Sequence, residues 1–299
     1  MLSPLDFLRD LANPDLRFLV KALIVAVASS VVCGIVGTHV VLRGMAFIGD
    51  AVAHAVFPGL AIAFVLNGSL VAGGAIAGVV TSILVAVIAQ NRRLKEDSVI
   101  GILFAAAFAL GIVIISRAPG YAGSLQQFLF GSITGIPDGD VVTVLGGGAA
   151  IVVVLLLLNK ELVAVGLDRE SARALGLRVF ALDLVLYVLV TLAVVLSVQT
   201  IGNVLVLALL VTPAATARLL TDRLGMMMLL APSFGSLAAL VGLYLSWSID
   251  LPVGGTIVLV ATAFFVLAWV VSPRHGLIAK GRAPRTSRSA ALLRRARTT

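Results

Sequence analysis

Long apolar runs separated by short polar segments dominate the pattern of this chain. Each run is about 17 to 25 residues long, the length an α-helix needs to cross the hydrocarbon core of a bilayer. The runs are continuous and do not alternate every second residue, so they favour helices over the strands of a membrane barrel. The candidate spans are residues 19–42, 46–66, 70–89, 99–116, 141–158, 180–198, 201–217, 226–247 and 254–271.

The number of spans stays open between eight and nine. Some runs are short, and the break at residues 199–202 lies either between two helices or inside one interrupted helix. We therefore predict an all-α fold, a polytopic transmembrane helical bundle of about eight or nine spans. Residues 1–18 form an N-terminal segment without the apolar core of a signal peptide, 19–271 the transmembrane domain, and 272–299 a tail.

Composition agrees with a membrane protein, and the charge is local. Of the 299 residues, 60% are hydrophobic and 12% charged, whereas soluble domains are about a quarter charged. The net charge of +8 comes from residues 272–299, which contain Arg and Lys but neither Asp nor Glu. This distribution indicates a tail beside anionic lipid, expected to be disordered, and not a nucleic-acid-binding protein. Cys33 is the single cysteine, so the chain forms no internal disulfide.

Basic residues in the short loops predict the orientation in the membrane. Lys and Arg concentrate in 91–95, in 160–178, at Arg218 and Arg223, and in the tail. Because cytoplasmic loops carry an excess of these residues, we expect a multi-pass protein of the cytoplasmic (inner) cell membrane with a cytoplasmic C-terminus. The side of the N-terminus stays undecided, since acidic and basic residues balance there.

The second span contains the most informative ionisable residues. Asp50 and His54 are four residues apart, which places a carboxylate and an imidazole on one helical face. A charged residue inside a span normally faces a protein interior or a wet cavity and has a partner. This pair suits a borderline divalent metal ion or a proton relay. The alternative is a hydrogen-bonded pair that joins two helices.

Pro58 adds a second argument for this span. A proline inside a helix clashes with the carbonyl four residues earlier, which here belongs to His54. We therefore expect the span to bend beside the imidazole. Such irregular backbone is tolerated at membrane depth only where it is buried in protein or lines a cavity.

A short capped helix is predicted between the fifth and sixth spans. Asp168 suits the N-cap, Glu170 the first turn, Arg173 the last turn and Gly176 the stop. Leu175 and Leu177 give the segment apolar positions as well. Spacing alone allows either a docking element or an amphipathic helix on the membrane surface.

Other polar positions give weaker signals. His39 fits an interfacial histidine better than a ligand, and Asp183 offsets Arg178 near the start of its span. Residues 212–216 have the small side chains of a tightly packed helix. Asp250 either attracts cations at the outer mouth or caps a helix. The chain lacks the phosphate-binding loop of ATPases and the motifs of metalloproteases and serine hydrolases, so an enzymatic activity is not expected.

Four ordered segments resemble a known family. Residues 37–59, 168–176, 204–225 and 250–252 are similar to segments of the ABC-3 family of metal-transport permeases, the zinc and manganese importers. The resemblance runs from about residue 17 to 275. This chain departs from the commonest family pattern at Ala53, where relatives often have Ser, and at Gly44, where Arg is frequent.

The resemblance implies the fold of a type II ABC importer permease and an assembly. The expected partners are cytoplasmic ABC ATPase subunits, an extracytoplasmic metal-binding protein, membrane lipid and a second copy in a homodimeric pore, with no tightly bound cofactor. Asp50 and His54 match positions on the metal path, and two copies would supply four N/O ligands for transported Zn²⁺ or Mn²⁺. The resemblance also implies an ATPase-coupling helix made of Asp168, Arg169, Glu170, Ser171, Ala172, Arg173, Ala174, Leu175 and Gly176.

The sequence supports two functional hypotheses. In one, the chain is the permease of an ATP-driven importer of zinc or manganese. In the other, it is a self-contained proton- or ion-coupled carrier in which Asp50 and His54 titrate during transport. The helix from Asp168 favours the first hypothesis, because a secondary carrier has no need of an element that docks on an ATPase.

Overall fold

The structure, a computed structural model, describes residues 3–45, 47–88, 96–116 and 135–272. These ranges fold into α-helices, with one short 3-10 turn at Pro14–Leu16. In chain order the helices are α1 (Pro4–Ala12), α2 (Arg17–Leu42), α3 (Ile48–Ala55), α4 (Phe57–Val65), α5 (Leu70–Ile88), α6 (Glu96–Ile115), α7 (Asp138–Leu157), α8 (Asn159–Leu167), α9 (Arg169–Ala174), α10 (Val179–Ile201), α11 (Asn203–Leu220), α12 (Leu224–Ile249) and α13 (Val253–Val271). The predicted all-α membrane bundle is confirmed. The basic loop 91–95, the segment 117–134 and the tail from 273 lie outside the described residues.

The core of the bundle is built around α2 and α10. Helices α11 and α12 pack along α2, and α13 packs against both of them. On the other side, α10 contacts α5 and α7, while α6 packs against α3 and α4. Because lipid is as apolar as these side chains, close fit and occasional polar contacts hold the helices together. One such contact joins α5 to α10, where the hydroxyl oxygens of Ser82 and Thr191 lie 2.7 Å apart.

The second predicted span, residues 46–66, is two short helices and not one. Helix α3 ends at Ala55 and α4 begins at Phe57, so the break falls just before Pro58. The proline ring and its missing amide hydrogen account for this position. The helix is therefore interrupted two residues after His54, where the sequence predicts a bend.

The break near residues 199–202 separates two complete helices. Helix α10 ends at Ile201, and Gly202 has a φ of +80°, a conformation that glycine adopts without steric cost. Helix α11 begins at the next residue. Within the described ranges, eight helices are long and apolar enough to cross a membrane, and α3 with α4 provides a shorter crossing.

Ion pairs define the two ends of the bundle. At one end, which we name the α9 end, Arg43 just after α2 pairs with Asp183 in the first turns of α10. At the opposite end, Lys21 at the start of α2 pairs with Asp138 at the start of α7, with 2.6 Å between Nζ and Oδ1. Successive crossings alternate between these ends, so α13 finishes at the α9 end. There the Ser272 hydroxyl donates to the carbonyl oxygen of Leu219 at 2.7 Å.

The N-terminal helix α1 lies at the end opposite α9. The Ser3 side chain caps it by accepting a hydrogen bond from the Asp6 amide. Phe7 packs edge-on against Tyr244 of α12, with 5.4 Å between ring centroids, and Trp247 Nε1 donates to Asp10 at 2.9 Å. These contacts place the start of the chain, which charge counting left undecided, at the end away from α9.

Glycine permits the closest helix crossings. A Cβ added to Gly59 of α4 would lie 2.1 Å from the carbonyl oxygen of Gly73 in α5, and one added to Gly73 would lie 2.4 Å from the carbonyl oxygen of Gly59. The two backbones are therefore in direct contact. Residues 212–216 show the packing predicted for them, since Pro213, Ala214 and Thr216 are buried within α11.

We predict that Gly59→Ala destabilises the protein. The added methyl group would overlap the backbone of α5, and overpacking of this kind typically costs about 1–3 kcal/mol. Thermal unfolding of the detergent-purified protein should show a lower midpoint. Gly146→Ala in α7 is the matched control, because a Cβ there meets nothing within 4 Å. An unchanged midpoint for Gly59→Ala would contradict the proposed contact between backbones.

Candidate functional site

Helix α3 carries both residues predicted to bind metal. It begins shortly after the end of α2, at the α9 end, and packs against α6, α10 and α11. Asp50 lies in the first turn of α3, one turn before His54, and its side chain falls outside the described part of the structure. Ala51, Val52 and Ala53 are buried in the core, so packing surrounds α3 on several faces.

The His54 imidazole is held against two aromatic rings of α6. The ring centroids of Phe104 and Phe108 each lie 5.1 Å from that of His54, both at an interplanar angle of 79°. Edge-to-face contacts of this kind are favourable and restrict the tilt of the ring. The imidazole is therefore placed by packing on a neighbouring helix, in a partly buried position just before the break at Pro58.

One chain does not complete a metal site among the residues that the structure describes. No group of three or more His, Cys, Asp or Glu residues lies close enough there to hold an ion. Two cavities adjoin α3. One, of about 10 Å³, has room for about one water molecule and is lined in part by Thr81, Ser82 and Tyr187. The other, of about 280 Å³, is lined mainly by apolar residues of α3 to α6.

The predicted capped helix is confirmed as α9. Asp168 is its N-cap, with Oδ1 accepting from the Glu170 amide at 2.9 Å and Oδ2 accepting from the Ser171 hydroxyl. The hydrogen bonds from the Ser171 side chain and from the amides of Glu170 and Ser171 hold the pKa of Asp168 below its usual value. This contribution to stability is present above the unfolded-state pKa and is lost as pH falls through the folded-state pKa, so the cap is intact at neutral pH.

Glycine ends α9 as the sequence predicts. Gly176 has a φ of +81°, and the next amide, that of Leu177, donates to the carbonyl oxygen of Ala172 at 3.1 Å. This bond and the contact between these two side chains form the usual glycine stop of a helix. Leu177 and Ala172 pack together with Val165 and Val179 in a small apolar cluster. Leu177 therefore holds α9 against the bundle.

Two leucines project from the same region. Leu167, just before the cap, is 83% exposed, and Leu175, at the end of α9, is 76% exposed. Exposed leucines are ordinary on lipid-facing helices, but these two flank a short polar helix at the end of the bundle. Together with the exposed residues of α9, they form an apolar and polar surface suited to a protein partner.

Asp183 lies between two arginines, and this arrangement differs from the sequence prediction. The sequence predicts that Asp183 offsets Arg178, whereas its Oδ1 accepts from Arg43 Nη1 at 2.6 Å and its Oδ2 from Arg169 Nη2 at 3.1 Å. The Arg43 and Asp183 side chains are only 8% and 11% exposed. The prediction was wrong because Arg43, 140 residues away along the chain, reaches the site only through tertiary packing.

A sequence signal for this ion pair did exist. Arg43 and Asp183 are opposite charges at the ends of two apolar runs. Charges at such positions normally need partners. The sequence gives no information, however, on which of several basic residues is close to Asp183.

The other candidate residues lie apart from α3. His39 in α2 is buried, and its Nε2 has no hydrogen-bond partner. The sequence predicts a histidine at the membrane interface, so this prediction was wrong. Asp250 is exposed at the end opposite α9. It caps α12 in the left-handed conformation, with a φ of +53°, so the capping alternative for this residue is confirmed. Attraction of cations at the outer mouth stays a prediction.

Comparisons with curated proteins find relatives of nearly the same length. The chain is 41% identical to the manganese transport system membrane protein MntC of Halalkalibacterium halodurans, over 88% of this chain and 90% of the relative. It is 39% identical to the manganese import system permease protein ScaB of Streptococcus parasanguinis, over 87% and 92%. It is 36% identical to the chelated iron transport system membrane protein YfeC of Yersinia pestis, over 88% and 89%.

Solved structures and a family match agree with these relatives. A chain of PsaBC from Streptococcus pneumoniae in complex with Fab superposes with a TM-score of 0.81 at 36% identity, covering 91% of this chain and 98% of that chain. An inward-facing metal-chelate type ABC transporter, 18% identical with a TM-score of 0.62, shares the fold. Residues 15–272 match the family described as the ABC 3 transport family. The resemblance seen in the sequence is thus confirmed, and the chain belongs to the ABC 3 transport family.

Proposed function

We propose that this chain is the transmembrane permease subunit of an ATP-binding cassette importer and that its cargo is Mn²⁺. The observation that carries the proposal is similarity along nearly the whole chain to ScaB, a manganese import system permease. A membrane bundle with a capped, exposed α9 agrees with a permease that depends on a separate ATPase. These findings favour the importer over the self-contained carrier.

The choice of manganese rests on the relatives and on ligand chemistry. Two of the relatives described above are named for manganese and one for chelated iron, so iron is the second candidate cargo. Carboxylate and imidazole ligands suit Mn²⁺ and also Zn²⁺, which is why the sequence by itself left both open.

Metal passage would use Asp50 and His54 from two copies of the chain. One copy offers a single carboxylate and a single imidazole on α3, which is too few for a stable cation site. Two copies related by a twofold axis would bring four such ligands together. The contacts of Phe104 and Phe108 with the imidazole would preset its orientation.

The α9 surface would dock on the ATPase. Its exposed residues, with Leu167 and Leu175 at either side, project from the end of the bundle where the chain is predicted to face the cytoplasm. At the opposite end the same assembly would receive the ion from an extracytoplasmic metal-binding protein. The inner cell membrane and a cytoplasmic C-terminus follow from this orientation.

We expect ATP-dependent Mn²⁺ uptake when this chain is co-expressed with its ATPase and its metal-binding protein in cells lacking other manganese importers. Uptake of radiolabelled manganese measures the activity, with excess Zn²⁺ or Fe²⁺ as competitors. Substitution of the phosphate-loop lysine of the ATPase should reduce uptake to background. Full uptake with that inactive ATPase would support the self-contained carrier, and stronger competition by iron or zinc would change the assigned cargo.

We predict that Asp50→Ala and His54→Ala each reduce uptake to background. Each substitution removes two of the four proposed ligands in a dimer, while the permease still assembles with its ATPase. Uptake and co-purification of the ATPase are measured side by side. Asp15→Ala is the matched control, because Asp15 is exposed in the 3-10 turn before α2, at the end opposite α9. Uptake at the wild-type level in either variant would exclude the proposed metal path.

We predict that Leu175→Asp prevents association with the ATPase. Its side chain is exposed, so the permease should fold normally while the docking surface loses an apolar contact and gains a charge. Co-purification of the ATPase should fall by about tenfold or more, as expected for a central interface residue. Leu5→Asp at the opposite end is the control, since Leu5 is 69% exposed. Normal co-purification with Leu175→Asp would place the docking surface elsewhere.

A further inference from the structure

The Asp183 carboxylate joins two arginines that belong to functionally different parts of the molecule. Arg43 precedes the helix with the proposed metal ligands, and Arg169 is the first residue of α9. The two guanidinium groups occupy different oxygens of the carboxylate, at 2.6 Å and 3.1 Å. We name Arg43, Asp183 and Arg169 the arginine–aspartate triad. The Asp183 side chain at its centre is only 11% exposed.

Arg43 is fixed from several sides. In addition to its bond with Asp183, its Nη2 donates to the carbonyl oxygen of Leu162 in α8 at 3.0 Å. Gly166 lies against its side chain, since a Cβ there would be 3.5 Å from Arg43 Nε. The guanidinium group therefore connects the end of α2 to both α8 and α10.

A tight turn connects Arg43 to α3. Gly44 has a φ of +72°, and the Met45 amide donates to the carbonyl oxygen of Val40 at 3.0 Å, which is the hydrogen bond of a glycine helix stop. The Ile48 amide at the start of α3 then donates to the carbonyl oxygen of Met45, also at 3.0 Å. Met45 is buried. The hydrogen bonds of Met45 and Ile48 thus connect the end of α2 to the start of α3, a route by which a displacement of Arg43 would reach α3.

Arg169 is the more exposed arginine of the triad. Its side chain is 40% exposed, against 8% for that of Arg43, and it belongs to the short helix α9. A force applied to α9 would therefore change the Arg169–Asp183 contact before it changes the buried Arg43–Asp183 contact. A buried carboxylate that loses its partners destabilises the fold. Asp183 and Arg43 would therefore move with Arg169 or change their own contact together.

We propose that Asp183 is a positioning residue that couples movement of α9 to movement of α3, so that the arginine–aspartate triad transmits the action of the ATPase to the metal path. This inference rests on the proposed function, since it assumes that α9 docks on the ATPase. It assigns no ligand role to the triad. Metal uptake per ATP hydrolysed should therefore depend on both ion pairs of Asp183.

The test compares Arg169→Ala, Asp183→Asn and the double variant in the assembled importer. Metal uptake, ATP hydrolysis and co-purification of the ATPase are measured for each. We expect uptake per ATP to fall by about tenfold in each variant, within the usual range of coupling between sites. ATPase co-purification should persist in Asp183→Asn, because Asp183 lies in α10, outside the proposed docking surface. The double variant should be no worse than Asp183→Asn, because both substitutions interrupt one connection.

Asp138→Asn is the matched control. It also removes a carboxylate that lies 2.6 Å from a basic side chain, but this pair joins α2 to α7 at the opposite end, where Asp138 is 88% exposed. Uptake per ATP should stay at the wild-type level. A loss there equal to that of Asp183→Asn would overturn the proposal, because the effect would then not depend on the triad.

A second variant separates coupling from folding. Arg43→Met combined with Asp183→Leu replaces the buried pair by apolar side chains, a change that often preserves the stability of a fold. We expect an assembled importer that hydrolyses ATP with low uptake. Wild-type uptake per ATP in this variant would show that the triad only holds the fold and would overturn the proposal. If the wild-type assembly itself shows no ATP-dependent uptake, the proposed function has failed, independently of the triad.

Discussion

A charge inside an apolar bundle needs a partner of opposite charge, and the buried Asp183 carboxylate has two. The arrangement of the helices around it depends on these ion pairs. Asp183 accepts from Arg43 and Arg169, and Arg43 also donates to α8. These bonds bring together the end of α2, the start of α10 and the short helices between the spans. In a medium of low dielectric constant, loss of one partner would be costly. The α9 end of the bundle is therefore held by specific bonds as well as by apolar packing.

Three interruptions of the helices lie beside the segments that we propose to function in transport. Pro58 divides the second crossing just after His54, Gly44 turns the chain from α2 into α3, and Gly176 ends α9. Each break lies at the edge of a segment to which we assign a role in transport. Irregular backbone is expensive in a membrane unless neighbouring helices satisfy it, so the break between α3 and α4 depends on the helices packed around it.

The proposed metal path depends on assembly. The phenyl rings of α6 orient the imidazole of His54, yet one chain supplies few ligand groups among the described residues. The exposed leucines beside α9 likewise have their proposed partner in another subunit. Membership of the ABC 3 transport family fits the proposal that the functional surfaces of this chain are halves of interfaces. In such an assembly, binding of one subunit can control the passage of the ion through another. This requires that the helices between the two surfaces are stiff.

The sequence by itself determined the membrane class, the positions of most spans, the capped α9 and the bend at Pro58. These features depend on local properties: the length of apolar runs, the side chains that cap a helix, and the missing amide hydrogen of proline. It also determined the family, through four ordered segments. Only the tertiary structure decided that residues 199–202 separate two helices, that the N-terminus lies opposite α9, and that Asp183 pairs with Arg43 and Arg169. Those outcomes depend on contacts between residues far apart in the chain, because a charge or a glycine has several possible neighbours until the helices pack.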